Sequence, residues 1–261
     1  MTRPIVFCTD YGTADAFVGV CHGVIARIAP EARVIDLTHA VPRQDVLRGA
    51  LTLARATPFM PGDAVYVAVV DPGVGSERRS IAVRTESDAL LVGPDNGVLS
   101  LAWGSLGGAA AAVEITNRAV MLEPVSSTFH GRDVFAPAAA HLAAGSPFTE
   151  LGSAVDPGEL RILEMPGPMI ADGVLGARVI DVDGFGNVQL NATAADLTQA
   201  GLGDVLTVAG RRVPRVRVFA DVPEGEPGSI VDSQGYVALV VNRGSAAAMW
   251  GLREGSAVVV E

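Results

Sequence analysis

The sequence predicts an α/β protein with two domains: an N-terminal α/β domain with a mainly parallel central sheet flanked by helices, and a smaller C-terminal all-β, barrel-like domain. Three observations carry this. In the first part of the chain, short apolar runs alternate with stretches of helical periodicity, and several of the runs stop at an acid. From residue 171 the helical periodicity fades and short β-prone runs separated by turns take over. Between them, RILEMPGPMI carries two prolines and a glycine, the composition of a linker. The expected organisation is residues 1–163, a linker over 164–170, and residues 171–261.

Composition narrows the function. The 261 residues are 49% hydrophobic and 18% charged, which suits a globular chain with a sizeable core. No apolar run is long enough to span a bilayer. The start, MTRPIVFCTD, reads as a first strand and not as a signal peptide, so the expected compartment is the cytoplasm. A net charge of −10 argues against nucleic acid as the main partner. All 19 Lys+Arg residues are arginine, which excludes Schiff-base chemistry, pyridoxal phosphate attachment and a P-loop lysine. Cys8 and Cys21 form no CxxC pair and read as buried free thiols. Histidines 22, 39, 130 and 141 make no HxH or HExxH pattern, so no metal is expected. GxSxG and GxGxxG turns are absent as well.

The elements follow in order. Pro4–Thr9 is a strand ending at Asp10. In the following DYGTAD, Gly12 supplies a turn and Thr13 an N-cap for a helix over Ala14–Ile28, whose apolar positions are Phe17, Val20, Val24 and Ile28. Two readings of Asp10 stand: a carboxylate accepting both vicinal hydroxyls of a ribose, or a turn acid. Asp15 is placed in the first helical turn, where it favours the dipole. Arg33–Leu37 is a second strand running into Thr38 and His39, the latter read as bonded to a backbone group. Asp45–Ala56 is a helix. Then comes VYVAVVDPGVGSERR, Val65–Arg79. Its apolar run, Val65–Val70, stops at Asp71, and Pro72 cannot continue a central strand. Gly73 and Gly75 relax the backbone before Arg78 and Arg79. In an open parallel sheet this edge is where ligands bind.

Ser80–Arg84 and Ala89–Val92 are further strands. The second runs into GPDNG, a turn in which Asp95 and Asn96 have a structural role. Gly107–Val113 reads as a surface turn or short helix. SSTFHGRD offers His130, with Gly131 allowing a ligand close to the backbone. Val134–Ala144 is helical, with Pro137 near its start or at a kink. His22 and His141 read as packing residues. The β domain holds strands at Gly176–Val182, Val188–Leu190, Val205–Ala209, Val213–Phe219, Tyr236–Val241 and Ala257–Val260. Its turns DGFGN, SQGY and NRG are each ordinary turn sequences when taken singly.

Taken together and in order, TDYGTAD, VVDPGVGSERRS, GPDNG, TFHGRD, FGN and VNRG resemble the S-adenosyl-L-methionine (SAM) hydroxide adenosyltransferases, adenosine-forming SAM hydrolases related to the SAM-dependent fluorinase and chlorinase. The resemblance covers essentially the whole chain. It implies attack of water or hydroxide on the ribose 5′ carbon of SAM, giving adenosine and L-methionine, with no cofactor and no metal. It implies Asp71, Arg78 and His130 as the set that handles the water; the halogenating relatives do not have the full set. It further implies Asp10 at the ribose, with Asp15 and Gly131 in the same binding region. Phe185 and Asn187 are implied on the adenine side, and Ser233, Asn242 and Arg243 in segments that contact the methionine end and the adenine. For the acid before FGN both Asp181 and Asp183 are available, and Asp183 is preferred. Family members are homotrimers in which the N-terminal domain of one chain and the C-terminal domain of its neighbour share each site.

The chemistry is consistent with those residue types. A sulfonium needs no acid to help it leave, so the difficulty is the nucleophile. Orienting one water in line with the C–S bond can lower the barrier by about 7–11 kcal/mol, and a positioned base adds about 10²–10⁴-fold. Two other readings stay open: a SAM- or adenosine-binding protein without turnover, and a metal-dependent phosphohydrolase using Asp10, Asp71 and Asp95. A SAM-dependent halogenase is a further alternative within the resemblance.

Overall fold

The structure is a computed structural model that describes residues 2–165 and 167–261. It divides into two compact units, one ending at Leu163 and one beginning at Glu164. Pro166, in the expected linker, lies outside the described residues.

The first unit is built on a seven-stranded sheet of β1 (Ile5–Thr9), β2 (Val34–Thr38), β3 (Val65–Val69), β4 (Ser80–Thr85), β5 (Leu90–Pro94), β6 (Ala109–Ile115) and β7 (Gly152–Val155), in the order β2-β1-β3-β5-β4-β6-β7. The first four in that order run parallel. β4, β6 and β7 are added by antiparallel pairing. Helices α1 (Phe17–Ile28), α2 (Val46–Ala56), α3 (Ser100–Ser105) and α4 (Ala136–Ala143) cover the two faces. Side chains alternate along each strand, so Ile5 and Phe7 join the layer of α1 and α4, while Val6 and Cys8 join that of α2 and α3. A sheet buried on both faces explains why β1 and β3 read as continuous apolar runs.

Several local expectations change. The first helix begins at Phe17, three residues later than expected, and Thr13 does not cap it. The intervening residues remain a turn because Gly12, at φ +72°, donates its N–H to the His39 carbonyl at 2.6 Å. Asp15 therefore precedes the helix and is exposed. The buried stripe of α1 is Cys21, Val24 and Ile25, while Phe17 and Val20 are exposed. Gly107–Val113 is mostly strand β6 and not a surface turn or helix. Its alanines sit between β4 and β7, where pairing on both sides overrides their low strand propensity. One turn of π-helix, Gly131–Phe135, leads into α4, and Pro137 falls in the first turn of that helix.

The second unit is an antiparallel sheet of β8 (Met169–Ala171), β9 (Val174–Val182), β10 (Val188–Thr193), β11 (Val205–Val208), β12 (Arg211–Pro214), β13 (Pro227–Val231), β14 (Tyr236–Val241) and β15 (Ala257–Val260). The order is β12-β11-β15-β9-β10-β14-β13, with β8 also on β9. A bridge from Arg215 to Ser229 links the two end strands and nearly closes the sheet around Leu175, Val188, Leu190 and Leu239. The barrel-like expectation holds. β8 begins inside the expected linker, and the run 213–219 stops being strand after Pro214. Two short helices, α5 (Ala194–Gln199) and α6 (Ala246–Trp250), were not anticipated. The first is set by a Thr193–Asp196 capping box. Among the described residues, no helix is long and apolar enough to cross a membrane.

Candidate active site

Parallel pairing brings two acids to one edge. Thr9 lies beside Val69 across β1 and β3, so Asp10 and Asp71, just beyond, leave the same end of the sheet. The chain departs from β1 to form β2 on one side and returns to form β3 on the other. This is the reversal of strand order at which open α/β sheets open a crevice.

At that edge Asp71 and Arg78 meet. The Arg78 Nε donates to Asp71 Oδ1 and Oδ2 at 3.0 and 3.1 Å, and Nη2 donates to Oδ2 at 2.5 Å. Both side chains are largely buried, 5% and 9% exposed, so the pair is shielded from solvent screening. The same Nη2 lies 2.8 Å from His130 Nδ1. A guanidinium can only donate, so Nδ1 accepts, and the neutral imidazole carries its proton on Nε2. Nη1 donates to Ser80 Oγ at 2.7 Å, and the guanidinium carbon sits 5.3 Å from the centre of the Phe135 ring. Arg78 is thus clamped between strand β4, the carboxylate and the imidazole. Residues 71, 78 and 130, far apart in the chain, form one continuous array.

The array depends on supports outside the three residues themselves. Asn96 donates from Nδ2 to the Val70 carbonyl at 2.8 Å and so holds the backbone entering Asp71. Asp95 accepts from Arg79 Nε at 2.9 Å and from the Arg161 N–H at 2.9 Å. Both residues of the GPDNG turn are therefore structural. Asp133 is buried, and its carboxylate accepts from Arg132 Nε and Nη2 and from the Ser126 N–H. Burial alone would raise its pKa, but the Arg132 fork and the Ser126 N–H outweigh it and hold the group below its ordinary value. The loop bearing His130 is pinned from both sides in this way. The signal for it was present in the RD of TFHGRD. Gly131 is needed for close packing: a Cβ there would collide with the Tyr11 hydroxyl. Burial, foremost, pushes the Tyr11 phenol well above its ordinary pKa, so it stays protonated beside the array.

His130 has a lowered pKa, first through burial and then through the Arg78 charge, partly offset by Asp71 and Asp133. Protonation at Nδ1 would break the bond from Arg78. Because the folded value lies below the ordinary 6.5, the array should stay intact as pH falls through 6.5 and fail only at more acid pH. A kcat–pH profile is expected to be level through 6.5; an acid limb centred at or above 6.5 would contradict this.

Other expected site residues fall in two places. Asp10 accepts from the Gln44 N–H through Oδ2 at 2.8 Å. A carboxylate has about four lone-pair sites, so this bond does not remove its capacity to accept from a diol. Asp15 lies six residues before Cys21 in the exposed turn. In the second unit, Phe185, Asn187, Asn242 and Arg243 line one cavity of about 760 Å³ together with Phe219 and Ser245, neither of which sequence reasoning singled out. Phe185 is 83% exposed. Asp183 does not line the cavity. Its Oδ1 accepts from the Phe185 and Asn187 N–H groups, both at 2.9 Å, and so shapes the turn that presents them. Asp181 is buried in β9. Ser233 is exposed in another turn, next to Asp232, and is not in the cavity lining. The two thiols are buried, and burial pushes each up to about 12, so both are inert.

Comparison with known proteins places this geometry. The sequence model of the SAM hydroxide adenosyltransferase N-terminal domain matches residues 5–152, and that of the C-terminal domain matches residues 177–259. A Salinispora arenicola protein named (R)-S-adenosyl-L-methionine hydrolase is 54% identical over 93% of this chain and 92% of its own length. An Actinoplanes protein named fluorinase is 30% identical over 98% of this chain and 96% of its own. The crystal structure of an uncharacterized conserved protein from Thermotoga maritima superposes with a TM-score of 0.90 at 35% identity, over 98% of this chain and 99% of that one. With both halves of the chain matched, and with Arg78 bonded to both Asp71 and His130, the chain belongs to the SAM hydroxide adenosyltransferase family.

Proposed function

We propose that the protein hydrolyses SAM at the ribose 5′ carbon to adenosine and L-methionine. The observation that carries this reading is the continuous Asp71–Arg78–His130 array at the switch-point edge. One water is held there by the Asp71 carboxylate and by the outward Nε2–H of His130. Its oxygen bonds to C5′ as the C5′–S bond breaks, and the sulfur keeps that electron pair as a neutral thioether. The water's proton passes to Asp71 and on to solvent. Arg78 fixes the direction of the carboxylate and keeps the imidazole in the tautomer that donates. No metal takes part. Asp10 receives the ribose hydroxyls, with Asp15 and Gly131 on the same side. Phe185 and Asn187 receive the adenine, with Ser233, Asn242 and Arg243 toward the methionine end and the adenine. The acting form is a cytoplasmic homotrimer in which the first unit of one chain and the second unit of its neighbour share each site. That arrangement fits a chain whose water-handling array and aromatic-lined cavity sit in separate units.

Product analysis tests the reading. Protein treated with a chelator and incubated with SAM is expected to release adenosine and methionine in equal amounts, with or without chloride. Intact SAM after long incubation, despite tight binding by calorimetry, would instead mark a binding protein. A 5′-halo-5′-deoxyadenosine formed only with halide would mark a halogenase.

A further inference from the structure

Sequence spacing separates His22, Asp36 and His39, but the fold gathers them. His22 projects from α1, Asp36 from β2, and His39 follows the end of β2. Their ligating atoms all lie within 4.8 Å of one another. Asp36 Oδ1 is 2.9 Å from His22 Nε2 and 3.1 Å from His39 Nε2. With ligands at about 2.0–2.2 Å, a divalent ion holds neighbouring ligand atoms about 2.8–3.6 Å apart for angles from octahedral to tetrahedral, a range that includes both edges meeting at Asp36. Phe7 walls the cluster, its ring centre 5.0 Å from that of His39 and 6.2 Å from that of His22.

The second observation concerns His39. The residue does not bond a backbone group through its ring, as strand-end position suggested; Nδ1 lies 2.8 Å from the Thr9 hydroxyl. Its side chain is 5% exposed, and the buried Nε2 has no hydrogen bond among the described residues, although Asp36 Oδ1 is near. Either tautomer leaves that atom unsatisfied. If the proton is on Nε2, it misses the carboxylate direction. If it is on Nδ1, donating to Thr9 Oγ1, then an imidazole lone pair faces a carboxylate oxygen at 3.1 Å, which is repulsive unless a cation lies between them. Thr9 Oγ1 also accepts from the Tyr11 N–H at 3.2 Å, and a ligand histidine is ordinarily held through its other nitrogen in this manner.

We propose that His22, Asp36 and His39 form a binding site for one divalent transition-metal ion, completed by water on the side where His22 and Asp36 are open to solvent. Two imidazoles and one carboxylate select zinc, cobalt, nickel or iron(II) over magnesium and calcium. The ion ties α1 to the end of β2. Since the His39 carbonyl accepts the Gly12 N–H at 2.6 Å, it also braces the segment from Asp10 to Gly12. It takes no part in breaking the C–S bond.

Calorimetric titration of chelator-treated, dialysed protein with cobalt(II) chloride is expected to give one ion per chain. His22→Gln and Asp36→Asn each remove a partly exposed ligand, so folding is retained and circular dichroism can check it. Loss of an outer-shell partner alone weakens metal binding about 10–100-fold, so each variant should bind at least about 100-fold more weakly. Absence of stoichiometric binding to the parent protein, or unchanged affinity in both folded variants, would overturn the assignment.

Discussion

Asp71→Asn is expected to lower kcat by about 10²–10⁴-fold, the usual contribution of a positioned base, while SAM still binds. The substitution keeps shape but replaces one carboxylate oxygen by an N–H₂ that cannot accept. In the folded chain Arg78 donates to both oxygens, so one of its three contacts turns into a meeting of donors. The guanidinium then loses the direction that lets Nη2 reach His130 Nδ1 at 2.8 Å. Removing one partner of a buried ion pair costs about 3–5 kcal/mol. A lower melting temperature should accompany the loss, and binding calorimetry must be run below it. Unchanged turnover would remove Asp71 from the mechanism. The same variant tests the shared site. Co-assembly of Asp71→Asn chains with chains disabled at Asn242 should restore activity in about a quarter of sites if assortment is random and each site draws on two chains. No restoration in a verified mixed oligomer would place both units of a site in one chain.

How far the sequence could be read depended on whether a signal was local. β3 and its abrupt end at Asp71 were legible because a buried parallel strand needs a continuous apolar run and a proline stops it. β14 and β15 were placed to the residue for the same reason, each being β-branched and bounded by turns. Strand β6 was not, because an alanine-rich run owes its conformation to neighbours on both sides. The start of α1 was misplaced because a bond from Gly12 to a residue 27 positions away keeps DYGTAD a turn. Within the site, the order of motifs pointed to Asp71, Arg78 and His130. The partners that hold them were read only as turns. Asp133 beneath Ser126 is local and lies within the TFHGRD motif, whereas Asn96 under Val70 and Tyr11 against Gly131 are contacts across the fold with no periodicity to betray them. The His22–Asp36–His39 cluster escaped for the same reason: its spacing matches no linear metal motif, and only the fold brings α1 against the end of β2.

Gly75→Ala should reduce kcat about 10²-fold and lower stability by at least about 1–2 kcal/mol, although residue 75 touches no substrate atom in the proposed reaction. Gly75 sits at φ +76°, a backbone conformation that costs an L-residue about 1–2 kcal/mol. The larger effect is steric. A Cβ there would stand 2.2 Å from the Ser127 carbonyl oxygen, a backbone atom that cannot rotate away as a side chain can. Relief requires the loop carrying Arg78 and the loop carrying His130 to part by about 1 Å. The Arg78–His130 contact of 2.8 Å does not survive that separation, and a displacement of this size can cost 10²-fold in rate. Gly73→Ala is the matched control on the same loop. Its φ is not left-handed, and the added Cβ would meet the Ser76 hydroxyl at 3.3 Å, the Arg78 Cγ at 3.4 Å and Asp71 Oδ1 at 3.8 Å, a fit that shifts of a few tenths of an ångström accommodate. Near-normal turnover is expected there. Steady-state kinetics with a melting curve for each variant decides the matter. If Gly73→Ala and Gly75→Ala lose activity equally, the effect is general loop disruption; if neither does, the approach of the two loops does not set the rate.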